Sequence, residues 1–376
     1  MKIIATADVH LGMKFSGYGS NQTELADERF RALERVVEAG NSRDADLLVV
    51  AGDLFHRAGV AQKIVERAAA ILDRFSGAAI AVLPGNHDYR APEGDRLWAG
   101  FRAAAGDRTL VLDRPGPVDL AHYDLPVTVY AAPCDAQHGA MHRLAWTTGL
   151  TRPDSRYVIG IAHGSIDGLT LDAEGHYFPM ERQFLASLPV DLWLIGHTHR
   201  WHDAHDVRIV VPGAPEPDGF DCAAPGCASL VTLPEPPSSG GTLNRYEVET
   251  LPTGRFRFVD AAVALHDPEG ACSADELETE VMRAVPDGEA LVRLTISGMI
   301  ADGTFERWNA VRGRLLEDPR IIRVDDDGLQ RLLGQRDVDR RYAAGSYAHR
   351  LLSRLVSSGD HDALAEALSL MDEVDA

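Results

Sequence analysis

Pro84-Gly85-Asn86-His87-Asp88 is the stretch whose reading decides the fold. The apolar run before it, residues 78–83, reads as a short buried strand, and the chain then breaks at Pro-Gly. Asn, His and Asp follow in succession, and an amide oxygen, an imidazole and a carboxylate are common tools for holding a metal and moving protons. Alone the motif is weak, because Gly-Asn is also ordinary turn chemistry. Four other apolar runs end the same way. Residues 2–7 lead into Asp8-Val9-His10, and 47–51 into Gly52-Asp53. Residues 157–161 lead into Ala162-His163-Gly164, and 192–195 into Gly196-His197-Thr198-His199.

Between these runs lie helical stripes. Leu25, Phe30, Leu33, Val36 and Val37 form one, and Val60, Ile64, Ala68, Leu72 and Phe75 another. Two less diagnostic strands fall at 109–112 and 127–131. Strands alternating with helices predict an α/β layered fold with at least one sheet buried on both faces. In such folds ligands bind beyond the carboxyl ends of the strands, where all five polar motifs fall.

The collected set is Asp8, His10, Asp53, Asn86, His87, His163, His197 and His199. Two groups of three ligands could be drawn from it, sharing one carboxylate. Mixed nitrogen and oxygen ligation suits two divalent ions of the Mn, Fe or Zn kind, whereas Mg and Ca favour oxygen. Two such ions would orient a phosphate and supply a nucleophile at neutral pH. Each motif has a plainer reading: Asp-x-His is usually a loop and Gly-Asp usually a turn. His202 and His205 are read as surface residues. Five motifs in this order, each after a strand, are hard to explain that way.

With 376 residues the chain predicts about two domains. The texture turns to Pro, Gly and Ser from Val211 to Gly241, which reads as the boundary. Domains are therefore expected at 1–240, 241–330 and 331–376. The second is a small α+β module with strands at 245–250, 255–260, 290–296 and 320–324 and helices at 275–284 and 305–316. The third is a helical tail, with Tyr347, Leu351 and Leu355 on one stripe and Leu364, Leu368 and Met371 on the next. Arg331, Arg336, Arg340 and Arg341 precede it as candidates to meet a partner's acids or DNA phosphates.

A net charge of −20 argues against a surface that binds nucleic acid everywhere, though a local basic groove needs only a few placed cations. Lysine occurs only at Lys2, Lys14 and Lys63, so nearly every cation is an arginine. No apolar run could span a bilayer, and the first residues lead straight into candidate site residues, so a cytoplasmic location without membrane contact is expected. Four cysteines, Cys134, Cys222, Cys227 and Cys272, make no disulfide framework in a chain this long.

Taken together, the five motifs resemble the signature of the calcineurin-like metallophosphoesterase superfamily. The resemblance implies a four-layer α/β fold, two packed mixed sheets flanked by helices, with a two-metal site at their edges. It also implies roles. Asp8, His10 and His199 would hold one metal, and Asn86, His163 and His197 the other. Asp53 would bridge, and His87 would face the substrate as general acid or charge stabiliser. A narrower likeness rests on residues 7–12 (ADVHLG), residues 51–56 (AGDLFH) and residues 211–215 (VPGAP), which look like the SbcD-type DNA repair nucleases. That family implies a small capping domain, C-terminal helices that dock on an SbcC-type coiled-coil ATPase, a homodimer, and DNA ends as substrate. Mn2+ is the expected metal, with Fe or Zn as alternatives, and His56 is expected to steer the DNA backbone. Two other functions are alternatives: hydrolysis of small phosphodiesters such as cyclic nucleotides, and a non-catalytic module that binds DNA ends or the ATPase. The second would not require His87 or a bridging Asp53.

Overall fold

The computed structural model describes residues 1–376 except 91–93, 95, 171, 173, 223, 237–240, 244, 361–362, 365, 369 and 372–376. The Pro-Ser-Ser-Gly part of the expected boundary, 237–240, lies outside the described residues. The chain forms two compact units, Met1–Arg257 and Phe258–Ala376.

The first unit opens with β1 (Lys2–Thr6), α1 (Gln22–Ser42), β2 (Leu47–Ala51), α2 (Gln62–Leu72), β3 (Ala79–Leu83), α3 (Arg96–Ala104) and β4 (Thr109–Val111). It continues with β5 (Gly116–Asp119), β6 (Val127–Ala132), β7 (Tyr157–His163), α4 (Arg182–Ser187), β8 (Leu192–Gly196), β9 (His202–Ala204), β10 (Ile209–Val211), β11 (Cys227–Thr232) and β12 (Glu247–Pro252). One sheet has the order β12-β11-β1-β2-β3-β4 and the other β5-β6-β7-β8-β10-β9. β1, β2, β3 and β4 pair in parallel, as do β6, β7, β8 and β10. The outer pairings, β1 with β11 and β5 with β6, are antiparallel, so both sheets are mixed.

Side-chain alternation explains the layers. Along β2, Leu47, Val49 and Ala51 join Ile159, Ile161, Leu192 and Leu194 in the core between the sheets. Leu48 and Val50 point the other way, onto Leu33, Val36, Leu72 and Phe75 of the helical side. Val158, Trp193 and Ile195 of the second sheet pack on Leu185 and Leu188. A strand covered on both faces must be apolar throughout, which is why β2, β3 and β8 read as unbroken hydrophobic runs. The fold is thus helix, sheet, sheet, helix, as expected.

The Pro/Gly-rich stretch from Val211 lies inside this unit. β11 follows it and pairs with β1, and β12 in turn pairs with β11. The first unit therefore reaches Arg257, beyond the boundary expected at 240.

The second unit is built from β13 (Arg257–Asp267), α5 (Ala274–Met282), β14 (Ala290–Ala301), α6 (Asp302–Leu315), β15 (Ile321–Leu332), α7 (Gln335–Arg341) and α8 (Tyr347–Ser358). Its sheet has the order β13-β14-β15. The strands outrun the expected segments, since β14 and β15 span 12 residues each. On α8 it is Leu352 that is fully buried, against Leu333, Val338, Leu364 and Leu368, whereas Tyr347 is 73% exposed. Of the expected stripes, Leu355, Leu364, Leu368 and Met371 pack in this cluster, whereas Tyr347 does not and Leu352 takes the central place. No described helix is long and apolar enough to cross a membrane.

Candidate metal centre

Each site residue sits just past a strand of the first unit. Asp8 and His10 follow β1, Asp53 follows β2, and Asn86 and His87 follow β3. His163 ends β7, and His197 and His199 follow β8. Asp8, His10, Asp53 and His199 have φ between 49° and 58°, and His197 has φ 121°. These are left-handed conformations that cost a non-glycine residue about 1–3 kcal/mol each, and Asp and His tolerate them better than most. They turn each side chain back toward the shared edge of the two sheets.

The motif glycines follow from the same crowding. A Cβ on Gly52 would lie 2.0 Å from His163 Nδ1, and Gly52 itself has φ +96°. A Cβ on Gly85 would lie 2.1 Å from Asp53 Oδ1. Only glycine allows these approaches.

The structure brings all eight expected residues together. His163 Nε2 lies 3.3 Å from Asp53 Oδ2 and 3.0 Å from Asn86 Oδ1. His197 Nδ1 is 3.3 Å from the same amide oxygen. His10 Nε2 is 3.7 Å from Asp53 Oδ2 and 3.2 Å from His199 Nε2, which is 3.8 Å from Asp8 Oδ1. Asp53 Oδ2 therefore faces an imidazole of each expected ligand group. Its other oxygen accepts from the His87 amide at 2.9 Å, and Asp8 Oδ2 accepts from the His197 amide at 3.0 Å.

The far nitrogens set the tautomers. His163 Nδ1 donates to the Ala51 carbonyl at 2.9 Å, and His199 Nδ1 donates to Asp218 Oδ2 at 3.0 Å. A carbonyl or carboxylate can only accept, so those nitrogens carry hydrogens and each Nε2 faces the cluster, where a metal would displace its proton and take its lone pair. His87 Nδ1 likewise donates to the His56 carbonyl at 3.1 Å. The His87 ring lies 4.7 Å from that of His10 and 5.5 Å from that of His56. His56 is half-buried, so the structure places it beside the cluster and next to His87.

The fit to metal rests on buried groups left without partners. Asp8 Oδ1 and His10 Nδ1 are buried with no hydrogen-bond partner among the described residues. Asp8, His10 and His199 present ligand atoms within 4.8 Å of one another, as do Asp8, Asp53 and His163. The two carboxylates, Asp8 and Asp53, are almost fully buried and draw positive charge inward. Burial lowers the His163 pKa, but Asp53 and Asp8 outweigh it and push it up to about 9. For His199, too, Asp8 and Asp218 outweigh burial, again to about 9. Burial and the charge of His163 hold His197 down at about 3. Nitrogen and oxygen donors in this ratio suit a divalent transition metal.

Three residues here were missed from the sequence or given no role. Asp218, which orients His199, comes from the stretch read as a boundary. Its only signal was an acid in a turn after the last histidine pair, and turn chemistry explains Asp-Gly equally well. Arg29 of α1 is fully buried, and its guanidinium donates to the carbonyls of Asp8 (3.0 Å), Val9 and Pro217 (3.4 Å). It ties the first site loop to the loop that carries Asp218. Asp88 accepts the Gly85 and Phe55 amides at 2.7 and 2.9 Å, fixing the turn that presents Asn86 and His87.

The family model for calcineurin-like phosphoesterases matches residues 1–201, and the chain belongs to that family. Members use divalent metal ions. Mre11 of Methanopyrus kandleri, a DNA double-strand break repair protein, is 26% identical over 246 residues, 58% of this chain and 50% of that protein. Mre11 of Halobacterium salinarum is 25% identical over 340 residues, 87% of this chain and 80% of that one. The uncharacterized metallophosphoesterase YhaO of Bacillus subtilis is 23% identical over 227 residues, 57% of this chain and 52% of its own. The chain spans about half the length of the Methanopyrus and Bacillus relatives. Among solved structures, TT1561 of Thermus thermophilus aligns with 66% of this chain and 98% of its own, with a TM-score of 0.40 and 14% identity.

Proposed function

We propose that this protein is a metal-dependent phosphodiesterase that cuts the DNA backbone, a repair nuclease of the SbcD and Mre11 kind. The observation that carries the reading is Asp53, whose one carboxylate oxygen faces His10 of one ligand group and His163 of the other. Asp8, His10 and His199 would hold one ion, Asn86, His163 and His197 the second, and Asp53 both. Divalent metals held there would supply Lewis acidity to a phosphoryl oxygen and offset developing charge. The chain's own part is to fix the donors and handle the proton. With Nδ1–H held by the His56 carbonyl, His87 has Nε2 free for a substrate oxygen, and in its protonated form it can give that proton to the leaving oxygen. The named Mre11 relatives support DNA as the substrate.

A Mn-supplemented digestion of labelled single- and double-stranded DNA, run beside a panel of small phosphodiesters, tests the reading. DNA cleavage well above cyclic-nucleotide turnover is expected. Cyclic-nucleotide turnover with intact DNA would move the protein to the small-substrate class.

Partnership with an SbcC-type ATPase belongs to the same proposal. Its support is an apolar cavity of about 580 Å³ in the second unit, lined by Tyr342, Tyr347, Leu351, Leu370 and Met371. The arginines before the tail are less available than expected. Arg331, Arg340 and Arg341 converge on the buried carboxylate of Asp302.

A further inference from the structure

We infer that the outer side of β13 is a docking edge for a second copy of this chain, which joins the three-stranded sheets of two second units into one. The pairing is antiparallel and centred on Val263. It is independent of what the metal centre does.

The reason lies in how sheet edges are kept from sticking. An outer strand carries a row of unpaired amides and carbonyls, and proteins blunt such rows with charges, prolines, bulges or brevity. The other outer strands here follow that rule. β4 and β9 are 3 residues long. β5 carries Pro117 and Asp119, and β12 carries Glu247, Glu249 and Pro252. β15 carries Asp325-Asp326-Asp327 and shifts register against β14. β13 runs for 11 residues, and its centre, Ala261-Ala262-Val263-Ala264-Leu265, has neither charge nor proline.

Backbone direction fixes which residues are on offer. A Cβ on Gly298 of β14 would run into the Leu265 carbonyl oxygen and crowd its amide nitrogen. Leu265 therefore turns its peptide groups toward β14, and alternation turns those of Ala262, Ala264 and His266 outward. The side chains of these three are exposed, whereas Val263 and Leu265 are buried. A cavity of about 570 Å³ lies here, with Ala264, Leu265, His266 and Asp267 on one wall and Glu276 and Thr279 of α5 on the other. Successive residues of a strand face opposite ways, so a wall of four in a row opens on the strand's side.

Self-complementarity selects the occupant. A strand that keeps its buried face on the buried side meets its own copy only in registers that set exposed residues opposite exposed ones. With Val263 opposite its counterpart, Ala262 meets Ala264, and their small side chains let the strands close. Asp260 then meets His266, an acid beside an imidazole. Arg293 of β14 already holds the Asp260 carboxylate at 2.7 Å, yet that side chain stays 60% exposed. Moving the centre to Ala262 or Ala264 loses the acid–imidazole pair.

Sedimentation of the full chain reads the outcome as mass. The wild type is expected at twice the mass of one chain. Ala264→Pro removes an outward amide, a change that an edge strand tolerates, and is expected to halve the mass. Ala262→Lys/Ala264→Lys sets like charges opposite one another at exposed positions and is expected to do the same. Because the lysines leave the backbone intact, a folding defect in the proline variant, seen by circular dichroism, does not spoil the test. Register is read by cross-linking. Copies with Ala262→Cys are mixed with copies with Ala264→Cys, both also carrying Cys272→Ser, and oxidised with diamide. Opposed Cα atoms of a hydrogen-bonded pair lie about 5.5 Å apart, within disulfide range, so the mixture should link more readily than either variant alone. The inference is overturned if the wild type sediments as a single chain. It is equally overturned if either folded variant keeps the wild-type mass, or if the mixture gives no link between positions 262 and 264.

Discussion

Two buried carboxylates, one in each unit, behave in opposite ways. Asp302 in the second unit is 1% exposed and is met by three guanidiniums, those of Arg331, Arg340 and Arg341. Asp8 in the first unit is wholly buried, and its Oδ1 has no hydrogen-bond partner among the described residues. The backbone shows the same split. Five ligand residues of the first unit hold positive φ, and no described non-glycine residue beyond Arg257 does. Interior polar groups are normally satisfied, because leaving one unpaired costs about 1–3 kcal/mol. Asp8 Oδ1 and His10 Nδ1 without hydrogen-bond partners, five ligand residues with positive φ and the convergence of their side chains together mark the working edge of the first unit, although Phe15, Asp44, Asp124, Phe178 and Arg208 hold positive φ as well. The second unit has alternating half-exposed strands and paired charges, and among its described residues Arg307 Nε is the buried side-chain atom left without a hydrogen-bond partner.

The sharpest way to break that contrast is Asp53→Asn. Both ligand groups face this carboxylate, so activity on every substrate is expected to fall to background and bound metal to drop. Elemental analysis that still finds two tightly held ions would remove Asp53 from its shared position. His87→Ala is the counterpart. Turnover is expected to fall roughly 10²- to 10⁴-fold, the usual worth of a positioned acid or base, while metal content stays unchanged. Loss of metal in this variant would make His87 a ligand instead.

What was legible in the sequence divides along the same line. The site was readable because each strand delivers its ligands within four residues, and burial on both faces makes those strands plain apolar runs. Asp218 was hidden because its loop has linker texture while acting as a wall of the site. β11 was hidden with it, since Cys227-Ala228-Ser229-Leu230 follows directly on a Pro/Gly stretch. Glu216 shows what holds that loop in place. Its buried carboxylate accepts the Arg255 and Phe256 amides, each at 2.8 Å, which ties the loop to the chain leaving β12. Proline richness reports a backbone that needs few hydrogen bonds of its own, and that serves a fixed loop as well as a linker. The first tail stripe was legible only in part, with Leu355 in the cluster and Tyr347 outside it, for a different reason. The apolar face of a short helix is decided by what covers it, and α7 was not anticipated.

Asp218→Asn sharpens the contrast at a smaller scale. The carboxylate touches His199 rather than any substrate, so its loss should weaken metal binding about 10- to 100-fold, as for other partners of ligating histidines. Activity should recover when metal is supplied in excess. A metal titration is the check. If affinity is unchanged and turnover alone falls, Asp218 acts on substrate and its role as a positioning residue is wrong.

The smallest expected effect belongs to the second unit. Ser273 caps α5: its Oγ accepts the Glu276 amide at 3.3 Å, while Glu276 Oε2 accepts the Ser273 amide at 2.8 Å. This reciprocal pair satisfies two backbone donors that the first turn would otherwise leave open. Ser273→Ala removes one half and should cost about 1 kcal/mol. A single melting temperature would blur so local a change in a chain of two units. Amide hydrogen exchange resolves it: exchange across α5 should quicken about fivefold where local opening governs it, the factor that 1 kcal/mol sets. Metal content and DNA cleavage should not move. If the cap variant altered either, the second unit would be coupled to the metal centre, and the division between a strained working edge and an ordinary stable module would fail.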